Sequence, residues 1–225
     1  MLIDKDKDWT SFDVVNKLRF KLKYKLGIKR FKVGHAGTLD PMATGLLLVC
    51  AGKYTKAIDS LVLKEKAYLA DLKLGASTPS YDAEIEEDAQ YPIEHISKEL
   101  VEETLNQFRG KIEQFPPMYS AIKVKGQKLY DLARKGKEVE REARPIEIYK
   151  CEITDFDLPH LQLDIECSKG TYIRSIAHDL GQALDSGAYL TGLRRTSIGN
   201  FSIDDALSVE ECAKWIEECE HSENE

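Results

Sequence analysis

Lys32-Val-Gly-His-Ala-Gly-Thr-Leu-Asp-Pro-Met-Ala-Thr-Gly-Leu-Leu-Leu-Val-Cys-Ala-Gly52 is the most unusual stretch of this 225-residue chain. It holds four glycines, His35 and Asp40, and leads from a basic segment into an apolar run, Leu46–Cys50, that reads as a buried strand. Gly34 and Gly37 allow the backbone to come close to a ligand or a neighbouring chain. No Gly-Lys-Ser/Thr follows, so the loop is not a Walker-type phosphate cradle. Asp40 directly before Pro41 has the pattern of a helix N-cap with proline at the first helical position.

Outward from this stretch, residues 1–5 read as an edge strand. Thr10 or Ser11 can cap a helix running to Gly27, with Val15, Leu18, Leu22 and Leu26 on one face. Lys66–Leu74 alternates as a strand, with Tyr68, Ala70, Leu72 and Leu74 on one side. Ser77–Pro92 is rich in acids and turn formers and reads as a surface loop. Ser97 caps a helix over Ser97–Arg109. Gln114-Phe-Pro-Pro117 is extended, because each proline turns its predecessor away from helix. Ser120–Val124 reads as a short strand and Lys128–Arg134 as a short helix. Ile146–Phe156 and Leu161–Cys167 read as paired strands, Ile173–Leu184 as a helix, and Leu207–Glu220 as a terminal amphipathic helix with a frayed acidic end. Strands and helices mix without regular βαβ alternation and no linker interrupts them. The expected fold is one α+β domain with a central mixed, mostly antiparallel sheet flanked by helices.

Composition is that of a globular chain, 42% apolar and 32% charged. No apolar run approaches the roughly 18 residues of a membrane span, and the N-terminus lacks the pattern of a signal peptide. The expected compartment is the cytoplasm. Five cysteines without a CxxC pair, and five histidines at no ligand spacing, argue against a disulfide framework and against a structural metal. The net charge of −7 hides an asymmetry. Residues 204–225 alone carry −8, leaving the rest at +1. Val14–Leu39 holds eight bases and no acid, and residues 121–150 hold nine bases against five acids. Two basic runs in a neutral body suit a polyanionic ligand.

Three segments carry a family resemblance. Gly34-His-Ala-Gly-Thr-Leu-Asp-Pro-Met-Ala-Thr-Gly-Leu-Leu47, closing with Gly52-Lys-Tyr-Thr-Lys56, resembles the catalytic motif of the bacterial tRNA pseudouridine-55 synthases. Phe108-Arg-Gly110 and Gln114-Phe-Pro-Pro-Met-Tyr-Ser-Ala-Ile-Lys123 agree. So do Cys167-Ser-Lys-Gly-Thr-Tyr-Ile-Arg-Ser-Ile-Ala-His-Asp-Leu-Gly181 and Leu193-Arg-Arg195. The resemblance runs from Asp4-Lys5 to about residue 210.

It implies a pseudouridine synthase fold over residues 1–210, with an RNA-clamping insertion at about 123–145. Residues 211–225 are then the end of the terminal helix and an acidic tail, without the C-terminal RNA-binding domain of many relatives. The implied activity is isomerisation of uridine to pseudouridine at position 55, in the T loop of tRNA. The N-glycosidic bond breaks, the base turns, and the sugar is rejoined through carbon 5. Neither cofactor nor metal is implied. Asp40 matches the essential aspartate, a carboxylate that must be ionised and fixed against a sugar in a dry pocket. Arg174 matches the arginine that keeps it ionised. Tyr68 matches the aromatic residue against the target uracil. Tyr172 and Leu193 match positions lining the base pocket. His35 matches a histidine that fills the space left by the flipped nucleotide. The implied partner is the T arm of tRNA, with no DNA and no membrane, and the chain is expected to act as a monomer. The basic runs would neutralise phosphates.

Two departures stand out. The family's Asp-Lys-Pro-x-Gly is here Asp4-Lys-Asp-Lys-Asp8, and its Thr-Asp-Thr-x-Asp is here Thr78-Pro-Ser-Tyr-Asp82 without a following glycine. Two alternatives stay open. One is an RNA-binding module that remodels tRNA, with Asp40 as a mere cap. The other is a synthase for another RNA, such as the guide-dependent rRNA enzymes, which carry additional domains.

Overall fold

The apolar run after Asp40 forms a strand, and a sheet is built around it. The computed structural model describes residues 1–124 and 126–219. Glu220 and the acidic end beyond it, and Lys125 of the insertion, lie outside the described residues. In chain order the elements are β1 (Leu2–Lys5), α1 (Ser11–Leu26), β2 (Val33–Ala36), β3 (Thr44–Ala51), α2 (Ile58–Val62), β4 (Lys66–Leu74), β5 (Ala76–Ser77) and β6 (Ala89–Gln90). Next come α3 (Lys98–Leu105), β7 (Gly110–Gln114), β8 (Lys123–Val124), β9 (Gln127–Lys128), α4 (Leu129–Ala133), β10 (Arg144–Asp157) and β11 (His160–Cys167). Last are α5 (Ile173–Ala183), β12 (Ala188–Ile198), β13 (Phe201–Ser202), β14 (Leu207–Ser208) and α6 (Val209–Glu218).

The chain divides into two compact units: Met1–Lys66 together with the residues from Arg194 on, and Ala67–Leu193. In the first unit the strand order is β14-β1-β3-β12. β2 pairs antiparallel with β3, and β13 with β12. β1 is parallel to β14 and antiparallel to β3, so it is an interior strand and not the expected edge. The reason is β14, a two-residue strand too short to announce itself in the sequence. Leu47 and Val49 of β3 pack with Ile3 under α1 and α6. Leu46 and Leu48 pack on the opposite face, against Ile58, Leu61 and Val62. Both faces are covered, which is why β3 reads as an unbroken apolar run and not as an alternation.

Helix α1 has the boundaries its caps dictate. Thr10 Oγ1 accepts from the Asp13 amide at 3.1 Å, the Asp13 carboxylate accepts from the Thr10 amide at 3.0 Å, and Gly27 ends the helix in the left-handed conformation. Val14, Val15 and Leu18 are buried, but Leu26, expected on that face, is exposed at the helix end.

In the second unit the order is β12-β4-β11-β10-β7. β10 pairs antiparallel with β11 and with β7. Tyr68, Ala70, Leu72 and Leu74 are the buried face of β4, as the alternation requires. Helix α3 packs on β10 and α5. The insertion holds the β8–β9 hairpin and α4, whose Leu129 is fully buried. Of the expected strand Ser120–Val124, only Lys123–Val124 is extended in pairing. The terminal helix starts at Val209 with a Ser208–Glu211 capping box and ends at Glu218. The segment expected as a surface loop, Ser77–Pro92, is in part deeply buried: Thr78, Ser80 and Asp82 have almost no exposed surface.

Candidate active site

Asp40 lies in the loop between β2 and β3, half-buried. It caps no helix. The Ala43 amide donates to the Asp40 carbonyl at 3.1 Å, closing a turn with Pro41 at its second position, and the chain enters β3 at Thr44. The N-cap pattern of Asp-Pro is therefore used here as a turn pattern.

The loop is held by its backbone. Ser11 Oγ donates to the Leu39 carbonyl at 3.1 Å and accepts from the Leu39 amide at 2.8 Å. The Asp8 amide donates to the Pro41 carbonyl at 2.8 Å. Asp8 stands where the family has glycine, and it adopts φ +66°, the left-handed conformation that aspartate tolerates better than most residues. Arg195, 1% exposed, reaches in from β12. Its Nε donates to the Leu46 carbonyl at 2.7 Å, and its Nη atoms to the Gly37 carbonyl at 3.0 Å and the Thr38 carbonyl at 3.4 Å. Gly45 has φ +97°, and a Cβ there would stand 2.3 Å from the Arg195 carbonyl oxygen. The closest backbone approach of this loop within the chain is at Gly45. A Cβ on Gly34 would instead meet the Ile58 side chain at 2.8 Å.

Lys5 is fully buried beside this loop. Its Nζ donates to the carbonyls of Trp9 at 2.6 Å, Asp6 at 2.9 Å and Pro41 at 3.4 Å. Burial pushes its ammonium down to about 8; the charges of Asp40, Asp6 and Asp8 pull it back up, and Arg195 pushes it further down. A base whose pKa is lower in the folded state favours folding most above its unfolded value. That contribution is lost as pH falls through the folded value. Between pH 10.5 and about 8, the wild type should therefore lose stability relative to Lys5→Met. Chemical denaturation of both proteins at pH 8 and pH 10 checks this; parallel curves would show that Lys5 titrates normally.

His35 lies on β2. Burial and the Arg195 charge hold its imidazole below the ordinary value, against a smaller opposing pull from the Gly37 backbone. Both causes favour the uncharged ring over the imidazolium.

The other expected residues lie in the second unit. Tyr68 is buried on β4 and Leu193 is half-buried on β12. Tyr172 precedes the first turn of α5, and Gln114 grips its backbone from both sides: the Tyr172 amide donates to Gln114 Oε1 at 2.8 Å, and Gln114 Nε2 donates to the Tyr172 carbonyl at 3.1 Å. Arg174, in the first turn of α5, is 7% exposed. It pairs with Asp82 at 3.1 Å and donates to the carbonyls of Tyr119 at 3.0 Å and Ser80 at 3.3 Å. Asp82 in turn accepts from Ser80 Oγ at 2.6 Å and the Glu84 amide at 3.1 Å. Tyr81, between them, has φ +65° and stacks on His178 with ring centroids 3.8 Å apart.

The two basic runs fare differently. Lys17 and Lys21 of α1 form ion pairs with Glu210 and Glu217 of α6, and Lys25 Nζ donates to the Glu217 carbonyl at 2.7 Å. A basic body and a separate acidic tail, as the sequence suggests, are therefore not separate in space: part of the first run is neutralised by the terminal helix. In the second run Lys123, Arg134 and Lys135 line an open cavity of about 590 Å³ together with Gly126, Gln127 and Asp131.

The model of the TruB family pseudouridylate synthase N-terminal domain matches residues 23–173, and that of the tRNA pseudouridylate synthase B C-terminal domain matches residues 174–225. The chain belongs to the TruB family of pseudouridylate synthases, and it is an isomerase of that class. The described part of the second match, up to residue 219, holds α5, β12, β13, β14 and α6. Among its relatives, the tRNA pseudouridine synthase B of Phocaeicola vulgatus is 52% identical over 99% of this chain and 95% of its own length. That of Parabacteroides distasonis is 52% identical over 97% of this chain and 93% of its own. Of solved structures, a crystal structure of a Cbf5–Nop10–Gar1 complex contains a chain with a TM-score of 0.71 and 27% identity. The match covers 95% of this chain but only 54% of the solved one. The fold is that of the pseudouridine synthases, α+β with a mixed sheet.

Proposed function

We propose that the chain converts uridine to pseudouridine at position 55 in the T loop of tRNA, with Asp40 as the essential carboxylate. The ribose C1′–N1 bond breaks, the uracil turns, a C1′–C5 bond forms, C5 gives up its proton and N1 gains one. Nothing is oxidised or reduced, so the reaction balances without a cofactor. Asp40 supplies an ionised carboxylate to the ribose or the base. The observation that carries this reading is the turn at Asp40. Its peptide leads into a strand, while Ser11, Lys5, Asp8 and Arg195 fix the loop through its carbonyls and amides.

The target base is stacked in a folded loop and has to be taken out, at a cost of about a few kcal/mol. In this reading Tyr68 meets the extruded uracil, Tyr172 and Leu193 line its pocket, His35 fills the vacated space, and Arg174 serves the carboxylate chemistry. Lys123, Arg134 and Lys135 face the phosphates of the T arm. The chain acts as a monomer in the cytoplasm.

The test is pseudouridine mapping after incubation of the purified protein with an unmodified tRNA transcript and with its T-arm hairpin. Conversion of the T-loop uridine in both is expected. Conversion at a different uridine, or no conversion of either RNA, overturns the assignment.

A further inference from the structure

The half of α1 that does not face α6 is left unexplained by this reading. Phe12, Phe20 and Tyr24 are 58%, 69% and 84% exposed. At 100° per residue they fall on one side of the helix, with Asn16, Arg19 and Lys23 between them. Val14, Val15 and Leu18 take the opposite side into the core, and Lys17, Lys21 and Lys25 take the flank that meets α6. The Arg19 guanidinium lies 5.9 Å from the centre of the Phe12 ring. Beyond the helix end, Ile28, Lys29 and Arg30 are exposed as well. The one acid of this stretch, Asp13, is taken up by the capping box with Thr10.

We infer that this aromatic and basic face of α1 is an RNA-binding surface, on which unpaired bases stack on Phe20 and Tyr24 while Arg19 and Lys23 neutralise the adjoining phosphates. Large rings exposed on a helix cost solvation unless something covers them. Charge selects the occupant. The rings are bordered by cations, so two copies of the chain laid face to face would oppose like charges. A polyanion with flat apolar faces meets both features, and stacking of bases on aromatic side chains is indifferent to sequence. The inference uses the family's RNA substrate class but not the T-loop assignment, because the surface is tested with an RNA that contains no T loop.

The probe is a fluorescently labelled, unstructured 12-nucleotide oligouridylate, titrated by polarisation against the full chain. Phe20→Ala/Tyr24→Ala should weaken binding at least tenfold without a change in Tm, since both rings are in solvent. Arg19→Gln/Lys23→Gln should lower the slope of log Kd against log salt by about 1.4, two phosphates' worth for a single strand. Less than a tenfold loss, or an unchanged salt slope, overturns the inference. So does wild-type protein that binds no oligonucleotide. Self-association in sedimentation, or binding to vesicles containing phosphatidylserine, overturns it too if the ring substitutions abolish either while leaving oligonucleotide affinity intact. A failed T-loop assignment would leave all of these readouts unchanged.

Discussion

Asp40→Asn is expected to abolish pseudouridine formation while RNA affinity stays within about tenfold, or roughly 1.4 kcal/mol. The asparagine amide keeps the size and much of the hydrogen-bonding capacity of the carboxylate but cannot carry its charge. Most anchors of the loop do not depend on that charge; the exception is Lys5, whose buried ammonium the Asp40 charge helps keep protonated. Ser11 holds the amide and carbonyl of Leu39, Arg195 holds the carbonyls of Gly37, Thr38 and Leu46, and Lys5 and the Asp8 amide hold the carbonyl of Pro41. The turn from Asp40 to Ala43 is a backbone hydrogen bond. The substituted loop should therefore keep its shape, and lost turnover would report chemistry and not collapse. Single-turnover assays at saturating enzyme, beside a binding titration, separate the two. Measurable multiple turnover by Asp40→Asn would show that the carboxylate is not essential and return Asp40 to a structural role.

The parts of this fold that could be read from the sequence are those in which one neighbour in the chain decides another. The Thr10–Asp13 box and Gly27 delimit α1, and the alternation from Tyr68 to Leu74 gives β4 and its buried face. The parts that could not be read are those in which the partner is far away. β12 was not anticipated because Arg194-Arg195 looks like surface; yet Arg195 is buried, its charge solvated by the carbonyls of residues near 37 and 46, some 150 positions earlier. Ser77–Pro92 has the composition of a surface loop, but Asp82 is inside because Arg174, on another element, neutralises it. Lys5 resembles any exposed lysine of an acidic N-terminal run until β1 carries it under the Asp40 loop. The candidate site residues come from the resemblance alone; the groups that hold their backbone in place left no signal there, since a carbonyl acceptor leaves no mark in a sequence.

The Arg174–Asp82 pair should be the costliest ionic contact to break among the described residues of the second unit. Both side chains are nearly out of water, with 8% and 1% of their surface exposed. Removing one partner of a buried pair costs about 3–5 kcal/mol. Asp82→Ala also removes the carboxylate that accepts from Ser80 Oγ and the Glu84 amide, leaving Ser80 Oγ with the Asp82 carbonyl at 3.3 Å. A fall in Tm of roughly 6–20 °C is expected. Asp82→Asn should lie between Asp82→Ala and the wild type, because its amide oxygen can still accept from Ser80 and Glu84. Arg174→Lys keeps the charge but replaces a planar fork that reaches Asp82, Ser80 and Tyr119 together with a single ammonium that cannot. It should be milder than Asp82→Ala in stability. In turnover it should be severe even well below its Tm, because Arg174 belongs to the first turn of α5, directly after Tyr172. The double substitution Asp82→Leu/Arg174→Met separates burial from pairing. If the penalty comes from a stranded charge, the double variant is more stable than Asp82→Ala alone. Urea unfolding of the four variants and the wild type decides it: a double variant no more stable than Asp82→Ala would mean that the loss does not come from a stranded charge.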